Sequence, residues 1–187
     1  MKRRQWLAVS GVLAGSVAGC TGLGRTVELT PEEPPEDSTN LGFYDANEER
    51  FRLQVIQQGP DDPEAAFYRF FMATWQPDGT RVDSLTLRFR SPPTSSGYNP
   101  AGISLNEGAH ADRATIYQED EDPSTTVIEL ADTTDIGRGS VRVDCVLEGD
   151  REDGPQQLWI GTEATCSADG LLETTYRASG ALTVTFP

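Results

Sequence analysis

Lysine is almost absent. Lys2 is the only one among 187 residues, and the remaining basic side chains are arginine. Histidine is equally scarce, since His110 stands alone and a paired-histidine zinc or copper site cannot be built. Met72 is the only methionine after Met1. No apolar run reaches the roughly 20 residues that a membrane-spanning helix requires. Positive charge is also in short supply, with 15 Lys+Arg against 30 Asp+Glu. Nucleic-acid phosphates need clustered Lys and Arg to release counterions, so nucleic acid is excluded as a partner. No motif marks a biochemical activity, and the length fits one folded domain.

The few cations are unevenly placed. Lys2, Arg3 and Arg4 precede every acid in the chain. From residue 20 onward, 12 basic side chains face 30 acidic ones, a net charge of −18. After the cationic start comes a mostly apolar run from Trp6 to Ala18, then Gly19-Cys20. A run of that length is too short to span and fits the apolar region of a signal peptide over residues 1–19. Small residues before Cys20 leave the backbone accessible to a peptidase.

These residues carry a resemblance. Arg3-Arg4-Gln5-Trp6-Leu7 resembles the twin-arginine export pattern, and Val17-Ala18-Gly19-Cys20 resembles a lipobox. Together they resemble the Tat-exported lipoproteins of halophilic archaea, over about the first 22 residues. The resemblance implies export of an already folded chain and a lipid thioether on Cys20. It therefore implies contact with the membrane through that lipid, at the extracytoplasmic face. The acid excess suits the same setting. Carboxylates hold water and hydrated cations, and multimolar salt screens their repulsion to a few Å. In dilute solution the same charge destabilises the compact state.

Residues 20–49 read as a tether. Thr30-Pro31-Glu32-Glu33-Pro34-Pro35-Glu36-Asp37 combines prolines with like charges, the composition of a semi-rigid spacer. Val27 and Leu29 leave room for a short edge strand there. From residue 50 to 187 the pattern changes to period two. Phe51, Leu53 and Val55 alternate with Arg52 and Gln54, as in a half-buried strand. Residues 65–75 have helical spacing at Phe67, Phe70, Phe71 and Thr74, but also alternate like a strand. The Pro77-Asp78-Gly79 turn and the alternating run that follows decide for a strand.

Further strands are expected at Ala101–Leu105, Ala114–Glu119, Thr125–Leu130, Ser140–Glu148, Gln157–Cys166, Leu171–Ala178 and Ala181–Phe186. Turn signals separate them, among them Ser179-Gly180. Many short strands at near-regular spacing predict an all-β fold, an antiparallel β-sandwich of immunoglobulin-like or similar type.

Three cysteines remain to be placed. With Cys20 given to lipid, Cys145 and Cys166 each fall on the apolar face of an expected strand. In an exported chain such a pair predicts a disulfide. A cupredoxin-type copper site, which halophilic archaea also export on small lipoproteins, fails on ligand count. His110, in Gly108-Ala109-His110-Ala111-Asp112, has no serine motif beside it and reads as a loop residue. The acidic run Glu119-Asp120-Glu121-Asp122 does not match a calcium loop and reads as a solvated turn. The aromatic residues Phe67, Tyr68, Phe70, Phe71 and Trp75 suit a core, a sheet face or a ligand cleft. The sequence thus predicts no catalytic residue, no metal and no cofactor. Its leading functional expectation is a non-enzymatic, lipid-anchored module that binds an envelope protein or serves the envelope. An accessory solute-binding lipoprotein of a transporter and a hydrolase with an unmarked carboxylate site are the alternatives.

Overall fold

Apolar residues alternating along short strands have to be buried on one side only, and two such sheets bury each other. The computed structural model shows this arrangement and describes residues 24–35, 38–58, 67–91, 102–106, 110–133, 139–148, 156–169 and 173–186. The first sheet (sheet A) contains β1 (Arg25–Glu28), β6 (Thr80–Arg90), β8 (Thr115–Gln118), β9 (Thr126–Leu130), β11 (Gln156–Ala168) and β12 (Thr174–Phe186). Their order is β1-β12-β11-β6-β9-β8. The second (sheet B) contains β2 (Thr30–Pro31), β3 (Asn40–Asp45), β4 (Glu48–Gln58), β5 (Phe67–Trp75), β7 (Ile103–Leu105) and β10 (Arg142–Glu148). Their order is β2-β3-β4-β5-β10-β7. The predicted β-sandwich is therefore the fold. Its pairings are antiparallel except one, since β1 runs parallel to β12.

Within the segment expected as a strand, Phe67–Trp75 form β5, and residues 65 and 66 lie outside the described residues. Its burial alternates strictly, so Tyr68, Phe70, Met72 and Thr74 face the core while Phe67, Arg69, Phe71, Ala73 and Trp75 face outward. Phe70 is the centre of an aromatic cluster, 5.2 Å from Phe186 and 6.4 Å from Phe89 between ring centroids. Phe43 and Phe51 make a second pair at 5.5 Å. All five phenylalanines are essentially inaccessible.

Two boundaries differ from the sequence reading. The expected tether over residues 20–49 contains three strands of the sandwich, and Leu41 and Phe43 from β3 are core residues. Pro31 is tolerated because β2 is an edge strand, where a missing N–H costs no ladder bond. The segment also crosses layers: β1 pairs in sheet A, Leu29 N–H donates to Arg177 C=O at 2.8 Å, and β2 pairs in sheet B. The second difference is at Ser179-Gly180, which is no turn. β12 runs unbroken through it, paired with β11 from end to end. The unanticipated turn is Ala46-Asn47, where both residues have positive φ, 48° and 72°. That is the geometry of a two-residue hairpin between β3 and β4.

Arg3, Arg4 and Cys20 lie outside the described residues. Among the described residues no helix is long and apolar enough to cross a membrane.

Candidate binding face

The outer surface of sheet B is built by β5 and its neighbours. Register places Arg52 opposite Trp75, Ile56 opposite Phe71, and Asp144 on the other side of Phe71. Three guanidinium groups lie over three outward rings. Arg142 sits 3.9 Å from the Phe71 centroid, Arg52 5.3 Å from Trp75, and Arg69 5.4 Å from Phe67. Each such contact contributes about 0.5–1 kcal/mol at an exposed site. Two of the cations are also held by bidentate carboxylates. Arg142 donates to both Asp144 oxygens, at 2.7 and 3.0 Å. Arg52 donates to both oxygens of Glu49, one of them at 2.7 Å. These hydrogen bonds push both arginines above their ordinary pKa and fix the planes of the forks. Trp75 is 45% exposed, one of three large apolar side chains so exposed among the described residues.

The outer side of sheet A has a different character. There Arg81 meets Asp83, Asp169 and Glu173, and Arg88 meets Glu119 and Glu163. Acids outnumber arginines on that side. On sheet B, Arg52 and Arg142 meet one carboxylate each. A chain at −15 thus presents one outward face that is aromatic and locally charge-balanced.

Beside this face, Pro34-Pro35 separates two open grooves. One, of about 510 Å³, is lined by Glu32, Tyr44, Glu49, Arg52 and Gln54. In it Tyr44 Oη donates to Glu32 Oε2 at 3.1 Å, which raises the Tyr44 pKa. The other, of about 530 Å³, is lined by Gln157, Trp159, Leu182 and Thr183. Arg90 caps the Trp159 ring at 5.0 Å.

The remaining sequence candidates separate from this face. His110 occupies a left-handed backbone position (φ 68°) before a single 3-10 turn, Ala111–Arg113. In the acidic run, Asp122 accepts hydrogen bonds from the hydroxyls of Ser124 and Thr125 and from the Ser124 N–H, and pairs with Arg90 at 3.1 Å. The hydroxyls hold its carboxyl below the usual range. This carboxylate closes a turn. No group of acids, histidine and cysteine among the described residues has the arrangement of a metal site.

The predicted Cys145–Cys166 disulfide is corrected. Both side chains do face the core, as their strand parity implies, but both thiols are free. Cys145 is registered against Phe70, which packs across the sandwich on Phe89, and Phe89 pairs with Ile160 on β11. Cys166 lies six residues further along that strand, about 20 Å at 3.3 Å per residue. A disulfide requires Cα atoms within about 7 Å. Burial pushes the Cys166 thiol up to about 12, with Asp83 adding to it, and the Cys145 thiol higher still, with Asp144 adding. Both should therefore be inert in the folded chain. Iodoacetamide at pH 8 should label neither Cys145 nor Cys166 in the native protein and both after denaturation without reductant, as peptide mass spectrometry can show. Because the folded pKa values are raised, this contribution to stability is intact below the unfolded thiol value near 8.5. It is lost as pH climbs from there toward 12.

Fold and surface define a two-sheet β-sandwich with one aromatic, arginine-lined outer face. Residues 26–187 match the family described as "Domain of unknown function (DUF8121)", and the chain belongs to it. Its extent includes the strands that the sequence reading had assigned to a tether. No curated protein sequence matches the chain. Among solved structures, the full-length major pilin SpaD from Corynebacterium diphtheriae is similar at 9% identity and a TM-score of 0.40. That match covers 71% of this chain and 35% of the pilin. ACE19, the collagen-binding subdomain of the Enterococcus faecalis surface protein ACE, is similar at 8% identity and a TM-score of 0.38, covering 68% of this chain and 96% of that one. Likenesses this distant say nothing of what the chain binds.

Proposed function

We propose that the chain is a non-enzymatic binding module, held at the extracytoplasmic face of the membrane by a lipid on Cys20, that docks an envelope protein on the outer face of sheet B. The observation that carries the docking is the row Phe67, Phe71 and Trp75 with Arg69, Arg142 and Arg52 over it. Aromatic residues and arginine are the types enriched in protein interfaces and their hot spots. The face is also charge-balanced where the rest of the surface repels. An acidic partner from the same salt-rich surroundings can approach there without opposing a carboxylate field. The lipobox around Cys20 supports the anchor, and β1 leaves only a few residues between that cysteine and the sandwich.

One experiment tests both parts. Membranes holding the full chain are crosslinked in high salt, with Phe71→Glu, Trp75→Glu, Cys20→Ser and a sheet A control, Glu163→Gln. A partner recovered with wild type and Glu163→Gln should fall at least about ten-fold with each sheet B variant. Cys20→Ser should move the protein to the soluble fraction. Equal recovery from all variants rejects the face, and membrane retention of Cys20→Ser rejects the anchor.

A further inference from the structure

The opposite sheet ends in a four-residue edge strand that carries neither of two usual protections, charge and proline. β8, Thr115-Ile116-Tyr117-Gln118, has no charge and no proline, and all four residues are exposed. Ile116 and Tyr117 are 39% and 43% exposed, and with Trp75 they are the exposed large apolar residues among those described. Natural edges are ordinarily blunted by charge, proline or a bulge. In a chain with 30 acids, four consecutive uncharged residues on an open edge call for an explanation.

The ladder fixes which backbone groups are open. Glu119 N–H donates to Thr125 C=O at 3.0 Å, in the same register that pairs Tyr117 with Val127 and Thr115 with Glu129. Antiparallel alternation then turns the N–H and C=O groups of Thr115 and Tyr117 toward β9. Those of Ile116 and Gln118 point to the open side.

We propose that two copies of the chain join edge to edge along β8, antiparallel about a two-fold axis through Tyr117. Of the self-pairings this edge allows, that register alone lets Ile116 and Gln118 of each copy exchange both bonds with Gln118 and Ile116 of the other. It makes Tyr117 face the partner's Tyr117 as a non-hydrogen-bonded pair, where side chains are closest. On the inner face it continues the row Leu87, Ile128, Ile116 toward the second copy. Two chains at −15 repel in dilute solution, so the contact strengthens as salt screens that repulsion. The contact lies on sheet A and is independent of the partner face on sheet B.

The register makes a geometric test possible. In the full chain, Tyr117→Cys places two thiols directly opposite, within disulfide range. Thr115→Cys displaces its two thiols by about four residues, some 13 Å along the strands. In multimolar salt with a mild oxidant, Tyr117→Cys should give a disulfide-linked dimer in at least about ten-fold higher yield than Thr115→Cys. Adding Gln118→Lys, a charge at the edge, should suppress it. Sedimentation of the unsubstituted chain should show mass rising from one copy to two as salt increases. No dimer, equal yields from both cysteine variants, or a yield unaffected by Gln118→Lys in chains with native melting curves overturns the proposal.

Discussion

Phe70→Ala is expected to destabilise the fold by about 3–5 kcal/mol, the range for removing a fully buried phenylalanine. Phe70 is 1% exposed and is the ring through which the sheets meet, since Phe186 and Phe89 of sheet A both pack on it. Tyr68, on the same face of β5, touches Phe186 as well, at 5.4 Å. An alanine leaves a cavity that β-strands held in two ladders cannot collapse to fill, because β5 is fixed by β4 and β10 on either side. Ordinary domains are stable by only about 5–15 kcal/mol, so the loss removes a large share. Denaturant unfolding followed by Trp fluorescence should show the midpoint falling with little change in slope. A loss below about 1 kcal/mol would mean that the sheets do not meet at this ring.

Gly180→Val should cost about 1–3 kcal/mol, the range for overpacking. A Cβ at this position meets Phe43 Cε1 at 3.0 Å, Phe43 Cζ at 3.2 Å and Pro31 Cβ at 3.2 Å. Phe43 is wholly buried and cannot swing outward without opening its contact with Phe51. The same experiment distinguishes the two readings of this glycine. At a turn between two strands, valine would disturb only the local chain. In an unbroken β12 it forces β2 and β3 off sheet A, so Phe43 and Pro31 must shift as well. Amide exchange of β3 measured alongside the unfolding midpoint should therefore speed up in the variant.

Gly180 also shows where local pattern misleads. Ser-Gly between two apolar alternations is a turn signal, yet here the glycine admits a ring from the opposite sheet, a contact that no nearby residue encodes. The strands β1 to β3 were obscured for a related reason. Pro31 and the acids around it have the composition of a spacer, and only the edge position of β2 makes the proline acceptable. The β-sandwich itself was legible, because period-two burial repeats in segment after segment and parity alone predicts which residues of β10 and β11 face inward. Parity placed Cys145 and Cys166 correctly in the core. The level of each along its strand depends on how the sheets are offset, and the expected disulfide failed on that coordinate.

The candidate face was half legible. The aromatic residues of β5 stood out, but alternation could not say which set faced the core, since Phe67, Phe71 and Trp75 are as apolar as Tyr68, Phe70 and Met72. Arg142 reaches Phe71 from a strand about 70 residues away, and register supplies that contact. A strand was expected at Ala114–Glu119, but which side of it is open depends on which residues β9 engages.

The most direct test of the central claim, that sheet B carries the partner, is site-specific photocrosslinking in intact membranes at high salt. A photoreactive residue placed at Ala73, between Trp75 and Phe71 on the outer face of sheet B, is compared with one placed at Glu163 on the outer face of sheet A. The account predicts a discrete heavier adduct from position 73 and none from position 163. An adduct from position 163 alone, or the same adduct from both, contradicts it.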